Sequence, residues 1–257
     1  MPKPSPAKRL KLTLGVDEAG RGPAIGPMVM AVVALDSKAA ASLSRAGLRD
    51  SKSFGAGDDA HAIREGLADK IRDCAKFVSL EIADHEVIDA RVSRNELNVL
   101  EREIATRLIE AALETIPAID RIIADGKRMF APLAQRYTMF ESRDRAEDHH
   151  AAVAAASVIA KVERDRAFHA IRAQYTGEFG DIAGGGYANA ATRRFVRAYV
   201  ERYKKLPAEC RRTWPHPYVH DLIGDQRPPG PQQQLFAAGT IVASEAGPEM
   251  IVASEEN

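Results

Sequence analysis

Acidic residues stand at three places where a sheet protein presents its chemistry. Asp17 and Glu18 directly follow an apolar run, LTLGV (12–16), Asp125 closes a second run, RIIAD (121–125), and Glu147 and Asp148 precede a long helical stretch. Gathering such carboxylates is costly, since two bare charges about 4 Å apart repel by roughly 4 kcal/mol at an effective dielectric of about 20. A cation makes the cluster tolerable. Oxygen-only ligands select hard Mg²⁺ or Mn²⁺, and no Cys/His spacing for zinc occurs. Two such ions about 3.5–4 Å apart can activate water and hold the leaving oxygen of a phosphodiester. Each place also has a plainer reading on its own. Asp-Glu before a glycine run is a turn, Asp125-Gly126 is a turn dipeptide, and Glu147-Asp148 is a helix start with Asp148 as cap. Adjacent side chains on a strand point to opposite faces. Asp17 and Glu18 therefore share a site only if the chain turns away there, which Gly20, Gly22 and Gly26 permit.

The elements that must position these acids are legible in the apolar spacing. LTLGV and MVMAVVAL (28–35) read as strands, the second apolar throughout and so central in a sheet. KFVSLEIA (76–83) alternates as a third strand, RIIAD is a fourth, and QRYTMFE (135–141) reads as a fifth. Helices are expected over 37–46, from about Asp58 to 75, over 95–116, over about 149–174 and over about 190–204. Leu97, Leu100, Ile104 and Leu108 form one stripe of the third of these. The order implies an α/β layer domain with a mixed sheet.

Composition narrows the class. The 257 residues are 45% apolar, and 36 basic and 36 acidic residues leave no net charge. That content excludes a wholly disordered chain, and no apolar run approaches the about 18–20 residues of a membrane span. No signal-peptide pattern opens the sequence, and two cysteines, Cys74 and Cys210, make no disulfide framework. A cytoplasmic protein is the expectation. Zero net charge requires any phosphate-binding surface to be a local patch. The strongest such patch is 192–212, with eight Lys or Arg against two Glu.

VDEAGRGPAIGP (16–27), LRDSK (48–52), ADGKR (124–128) and AAASVIAKVERD (154–165) occur in that order. Together they resemble the type 2 ribonucleases H, the ribonuclease HII family, over roughly residues 12–222. The resemblance implies a ribonuclease H-like fold: a mixed central β-sheet flanked by helices, with a C-terminal helical extension from about 175. It implies a catalytic domain over 12–225; by composition, MPKPSPAKRLK (1–11) reads as a loose basic arm and the Pro-, Gly-, Gln- and Glu-rich 226–257 as a poorly ordered tail. The resemblance further implies metal-dependent cleavage of RNA in RNA–DNA hybrids and of ribonucleotides embedded in duplex DNA, by a monomer using two Mg²⁺ or Mn²⁺ ions.

Carried over position by position, Asp17, Glu18 and Asp125 match the family's first three metal-binding carboxylates. The fourth is normally an Asp ten residues before the Ser of the AAS helix, here Ser157, which places Glu147 there. A Glu at this position resembles the sister ribonuclease HIII group. Either Glu147 is the ligand and Asp148 caps the helix, or the helix start shifts and Asp148 coordinates. Gly20, Arg21 and Gly22 match a glycine-arginine-glycine element whose main chain can approach a sugar closely enough to read its 2′-hydroxyl. Arg21 can pair with a phosphate. Ser51, Lys52 and Lys127 are expected to face substrate, and Tyr187 matches a Tyr that packs on the neighbouring deoxyribose. His149 and His150 are expected to face solvent. In the tail, QQQLF (Gln232 to Phe236) resembles the peptide by which replication proteins dock on a sliding clamp. The rival readings are a non-catalytic hybrid-binding module and another ribonuclease H-like nuclease acting on DNA.

Overall fold

The computed structural model describes residues 10–48, 58–116 and 118–228. Strand β2 (Met28–Asp36) is apolar up to Leu35 because both of its faces are covered. Met28, Met30, Val32 and Ala34 join one core cluster, while Val29, Ala31, Val33 and Leu35 join another. With β1 (Leu12–Ala19), β3 (Phe77–Ala83), β4 (Arg121–Asp125) and β5 (Phe140–Arg143), it forms a mixed five-stranded sheet of order β3-β2-β1-β4-β5. β3-β2 and β2-β1 pair antiparallel, and β1-β4 and β4-β5 pair parallel.

The first face is covered by helix α4 (Leu97–Thr115), through the predicted stripe of Leu100, Ile104 and Leu108. The second is covered by α1 (Ser37–Arg45), α2 (Asp58–Cys74) and α6 (Ala151–Phe179). α6 crosses β1 so closely that a Cβ on Gly15 would lie 2.1 Å from the Ala152 carbonyl carbon. A side chain there would lift the helix off the strand.

Smaller elements complete the fold. They are α3 (His85–Val92), α5 (Lys127–Phe130), 3-10 turns at Ala131–Gln135 and Ala146–Asp148, α7 (Ala190–Tyr203) and a last turn and helix α8 (His220–Ile223). α7 and the end of α6 enclose a third cluster containing Phe168, Ile171, Phe195 and Val200. Among the described residues no helix is long and apolar enough to cross a membrane.

Three expectations are corrected. β1 does not stop at Val16, because its pairing with β2 continues through Asp17↔Ala31, Glu18↔Met30 and Ala19↔Val29. The acids therefore sit inside the strand. The fifth strand is Phe140–Arg143 rather than 135–141. Pro132 opens a 3-10 turn, and the Tyr137 N–H closes a turn on the Leu133 carbonyl while its ring enters the core. α6 runs to Phe179 because its last turns pack on α7, with the Tyr175 and Phe195 rings 5.0 Å apart. The basic arm lies largely, and the tail almost entirely, outside the described residues.

Candidate active site

Strand alternation divides the first acid pair between the two faces of the sheet. Leu12, Leu14 and Val16 face α4, so Glu18 faces α4 as well, and the Glu101 carboxylate lies near it. Asp17 faces α6. There Ser157 hydrogen-bonds its carboxylate, and Lys161 donates to Ser157 Oγ at 2.7 Å. The pair still meets at the strand end, where the Glu18 N–H donates to Asp17 Oδ1 at 2.8 Å.

The parallel register Val16↔Ala124 sets Asp125 level with Asp17 on the neighbouring strand. Asp125 Oδ1 accepts from the N–H of Gly126 at 3.1 Å and of Ala146 at 2.9 Å, and its carboxyl shares a hydrogen bond with Glu147. Asp148 turns elsewhere and pairs with Arg145 at 2.8 Å. It does not cap α6, whose N-cap is His150 with no side-chain bond to the helix amides. The 3-10 turn over Ala146–Asp148 separates the acids from the helix start, which the sequence spacing did not show. His149 is exposed, and both histidines line a cleft with Lys11, Thr13 and Asp36.

Electrostatics mark this corner as strained without a cation. Burial first, and the Asp125 charge against the relief from Ser157 and Lys161, pushes Asp17 up to about 7. Burial and the charges of Asp17, Glu101 and Asp125 hold Glu18 well above the usual carboxylate range. Burial and the hydrogen bond with Glu147 raise Asp125 to about 6. Glu18 Oε2 is buried with no hydrogen-bond partner. A hard divalent cation would offset each of these penalties, and an all-oxygen donor set fits one. Among the described residues no three acidic side chains are drawn into a closed ligand cage.

Beside the acids, β1 opens into the Gly20–Gly22 loop. Gly20 has a φ of +83°, and a Cβ there would lie 2.6 Å from the Pro27 carbonyl oxygen, so glycine is required. The Arg21 side chain lies back on α4, with Nε donating to Glu101 at 2.9 Å and Nη2 to Asn98 at 2.7 Å. The Tyr187 ring lies against Gly22 and is half exposed. The N–H groups of Ala24 and Ile25 fix the two loops together on the Gly186 carbonyl.

Two clefts flank this junction. One, of about 620 Å³, is lined by Arg21, Asn98, Gly126, Arg128, Met129 and Asp144, with Lys127 exposed next to it. The other, of about 480 Å³, is lined by Arg64, Arg164, His169 and Tyr187 among others. Ser51 and Lys52 lie outside the described residues. The basic stretch 192–212 is less open than its charge suggests. Arg197 pairs with Asp221, Arg202 pairs with Glu178, and Arg211 is fully buried.

The family profile described as Ribonuclease HII matches residues 14–216. The chain belongs to the ribonuclease HII family. It is a ribonuclease H enzyme. The Ribonuclease HII of Pyrococcus furiosus is 33% identical over 205 residues, which are 78% of this chain and 87% of that relative. The ribonuclease H2 structure of Pyrococcus horikoshii superposes with a TM-score of 0.65 at 27% identity, covering 85% of this chain and all of that one. A PCNA:RNase HII complex from Archaeoglobus fulgidus gives 0.66 at 26% identity, covering 86% of this chain and 98% of that one. The ribonuclease H-like fold expected from the sequence is thus the fold observed.

Four charged residues lie at or beside this site without having been singled out from sequence. Lys161 follows Ser157 by one helical turn, and Arg164 follows by two, a spacing that puts them on one face. Glu101 interrupts the apolar face of α4, which was a visible signal. Arg211 gave no local signal, because its partners are 185 to 191 residues away in sequence.

Proposed function

We propose that this ribonuclease HII hydrolyses the RNA strand of RNA–DNA hybrids and cuts duplex DNA on the 5′ side of an embedded ribonucleotide, leaving 5′-phosphate and 3′-hydroxyl ends. The observation that carries the reading is the level placement of Asp17 and Asp125 on adjacent parallel strands, with Glu18 next to Asp17 near the end of β1, directly before the Gly20–Gly22 loop whose Arg21 and Gly22 are exposed. A binder without catalysis has no use for buried acids that oppose its own folding.

Asp17, Glu18 and Asp125, with Glu147, would hold Mg²⁺ or Mn²⁺. When bound, two such ions supply activation of water and neutralisation of charge on the departing oxygen. The chain's own groups do the rest. Lys161 and Ser157 orient the Asp17 carboxylate, and Ala146 and Gly126 fix one oxygen of Asp125. The loop of Gly20, Arg21 and Gly22 meets the ribose, and Tyr187 offers an aromatic face to the next sugar. Lys127 borders the path of the phosphates. Gln232 to Phe236 would dock on a sliding clamp; the motif supports this, as does the Archaeoglobus relative found in complex with PCNA.

The test is a cleavage-site map on three duplexes, one carrying a single ribonucleotide, one a long hybrid and one all DNA, each with Mg²⁺ and with Mn²⁺. Cleavage of the first two and not the third is expected. Equal cutting of the all-DNA duplex would point instead to a DNA nuclease of the same fold. For the tail, a peptide with Phe236→Ala should lose clamp binding.

A further inference from the structure

A buried arginine without a carboxylate partner needs a reason, because desolvating a guanidinium is expensive. Arg211 is fully buried. Each of its three guanidinium nitrogens donates to a main-chain carbonyl of the first glycine-rich segment. Nη2 donates to Gly20 at 2.6 Å, Nη1 to Arg21 at 2.8 Å and Nε to Gly26 at 2.9 Å. Trp214, whose ring lies 4.9 Å from the same guanidinium, donates from Nε1 to the Gly22 carbonyl at 3.2 Å. The segment carrying both residues is fastened in turn. Asp89 accepts from the N–H groups of Arg212 and Thr213, and His216 Nε2 bonds the Arg211 carbonyl at 2.9 Å.

A trans peptide points its N–H opposite to its C=O. With the carbonyls of Gly20 and Arg21 turned inward onto Arg211, the N–H groups of Arg21 and Gly22 point the other way, on two exposed residues. Among the described residues neither N–H donates a hydrogen bond. A cation on each carbonyl also polarises the N–H of the same peptide unit, since linked hydrogen bonds strengthen one another.

We propose that Arg211 is a positioning residue for ribose recognition, holding the Gly20–Gly22 carbonyls inward so that two consecutive polarised N–H groups face the 2′-oxygen and its phosphate. The inference rests on the function proposed above. A failure of that reading shows in the wild-type enzyme, as no preference for the ribonucleotide duplex.

Arg211→Lys keeps the charge but cannot span three carbonyls. The variant is compared with wild type on a duplex containing one ribonucleotide and on the same duplex with a 2′-fluoro nucleotide. Mn²⁺ affinity by calorimetry and thermal melting are measured alongside. Roughly a 10- to 100-fold loss of kcat/KM on the ribonucleotide is expected, the worth of a hydrogen bond to a charged group. The ribo-to-fluoro ratio should collapse while Mn²⁺ affinity stays within about twofold of wild type, as expected for a group acting away from the metal ligands. A folded variant with the wild-type ratio overturns the proposal, and so does a fall in Mn²⁺ affinity matching the fall in rate. If Arg211→Lys does not fold, Trp214→Phe decides by the same ratio, with about a threefold decrease expected for one neutral hydrogen bond and no change overturning the idea.

Discussion

The acid corner and the glycine loop lie side by side, yet they are built on opposite principles. At the acid corner, side chains of one sign are forced together by strand register and are held above their ordinary pKa by burial. In the loop the groups proposed to work are main-chain amides, held by a buried cation whose hydrogen bonds all go to carbonyls. The first region is electrostatically unhappy until a cation arrives. The second is complete in the protein alone, and its cost is conformational, a glycine at a φ of +83°. On the proposed function, metal chemistry and sugar recognition are separable in this molecule, and mutation should move them independently.

The hardest test of that separation is Asp17→Asn. Cleavage should fall by at least about 10³-fold, the scale of losing a key charged group at a reacting centre. Stability without metal should rise. Burial lifts the folded-state pKa of Asp17 from 3.8 to about 7. The protonated carboxyl therefore favours the fold fully below about pH 4, and that contribution is lost as pH rises through about 7. Asn keeps the neutral form at every pH, so a gain of roughly 2–4 kcal/mol at pH 8 is expected by calorimetry. A loss of stability there would break the contrast.

Gly15→Ala attacks the scaffold under both regions. The new Cβ would meet main chain of α6, and denaturant melts should show a loss of about 3 kcal/mol or more. Glu147→Gln against Asp148→Asn sharpens the acid corner. The first should lower turnover roughly 10²-fold, and the second, which breaks an ion pair with an exposed Arg145, should change it by less than about twofold. Tyr187→Ala probes the recognition side, with about a 10-fold drop in kcat/KM and unchanged Mn²⁺ affinity. Asp36→Ala is the smallest perturbation and touches neither region. It removes the cap that accepts from the Ala39 N–H at 2.8 Å, and should cost about 1 kcal/mol of stability with cleavage intact.

The local sequence located the first four strands and most helices, because apolar spacing and glycine punctuation are short-range signals, while the candidate acids stood out only through the resemblance of VDEAGRGP and ADGKR to the family. It placed Asp125 at a strand end and named α4 by its stripe. It went wrong where long-range pairing overrides local preference. The β2 ladder carries β1 through Asp17 and Glu18, core packing of Tyr137 bends the predicted fifth strand into a turn, and the α7 aromatics extend α6. Only the tertiary structure decided that Glu147 rather than Asp148 turns to Asp125, that Arg21 rests on Glu101, and that Arg211 supports a loop some 190 residues earlier. Those choices depend on which groups share a buried space, and sequence separation carries no information about that.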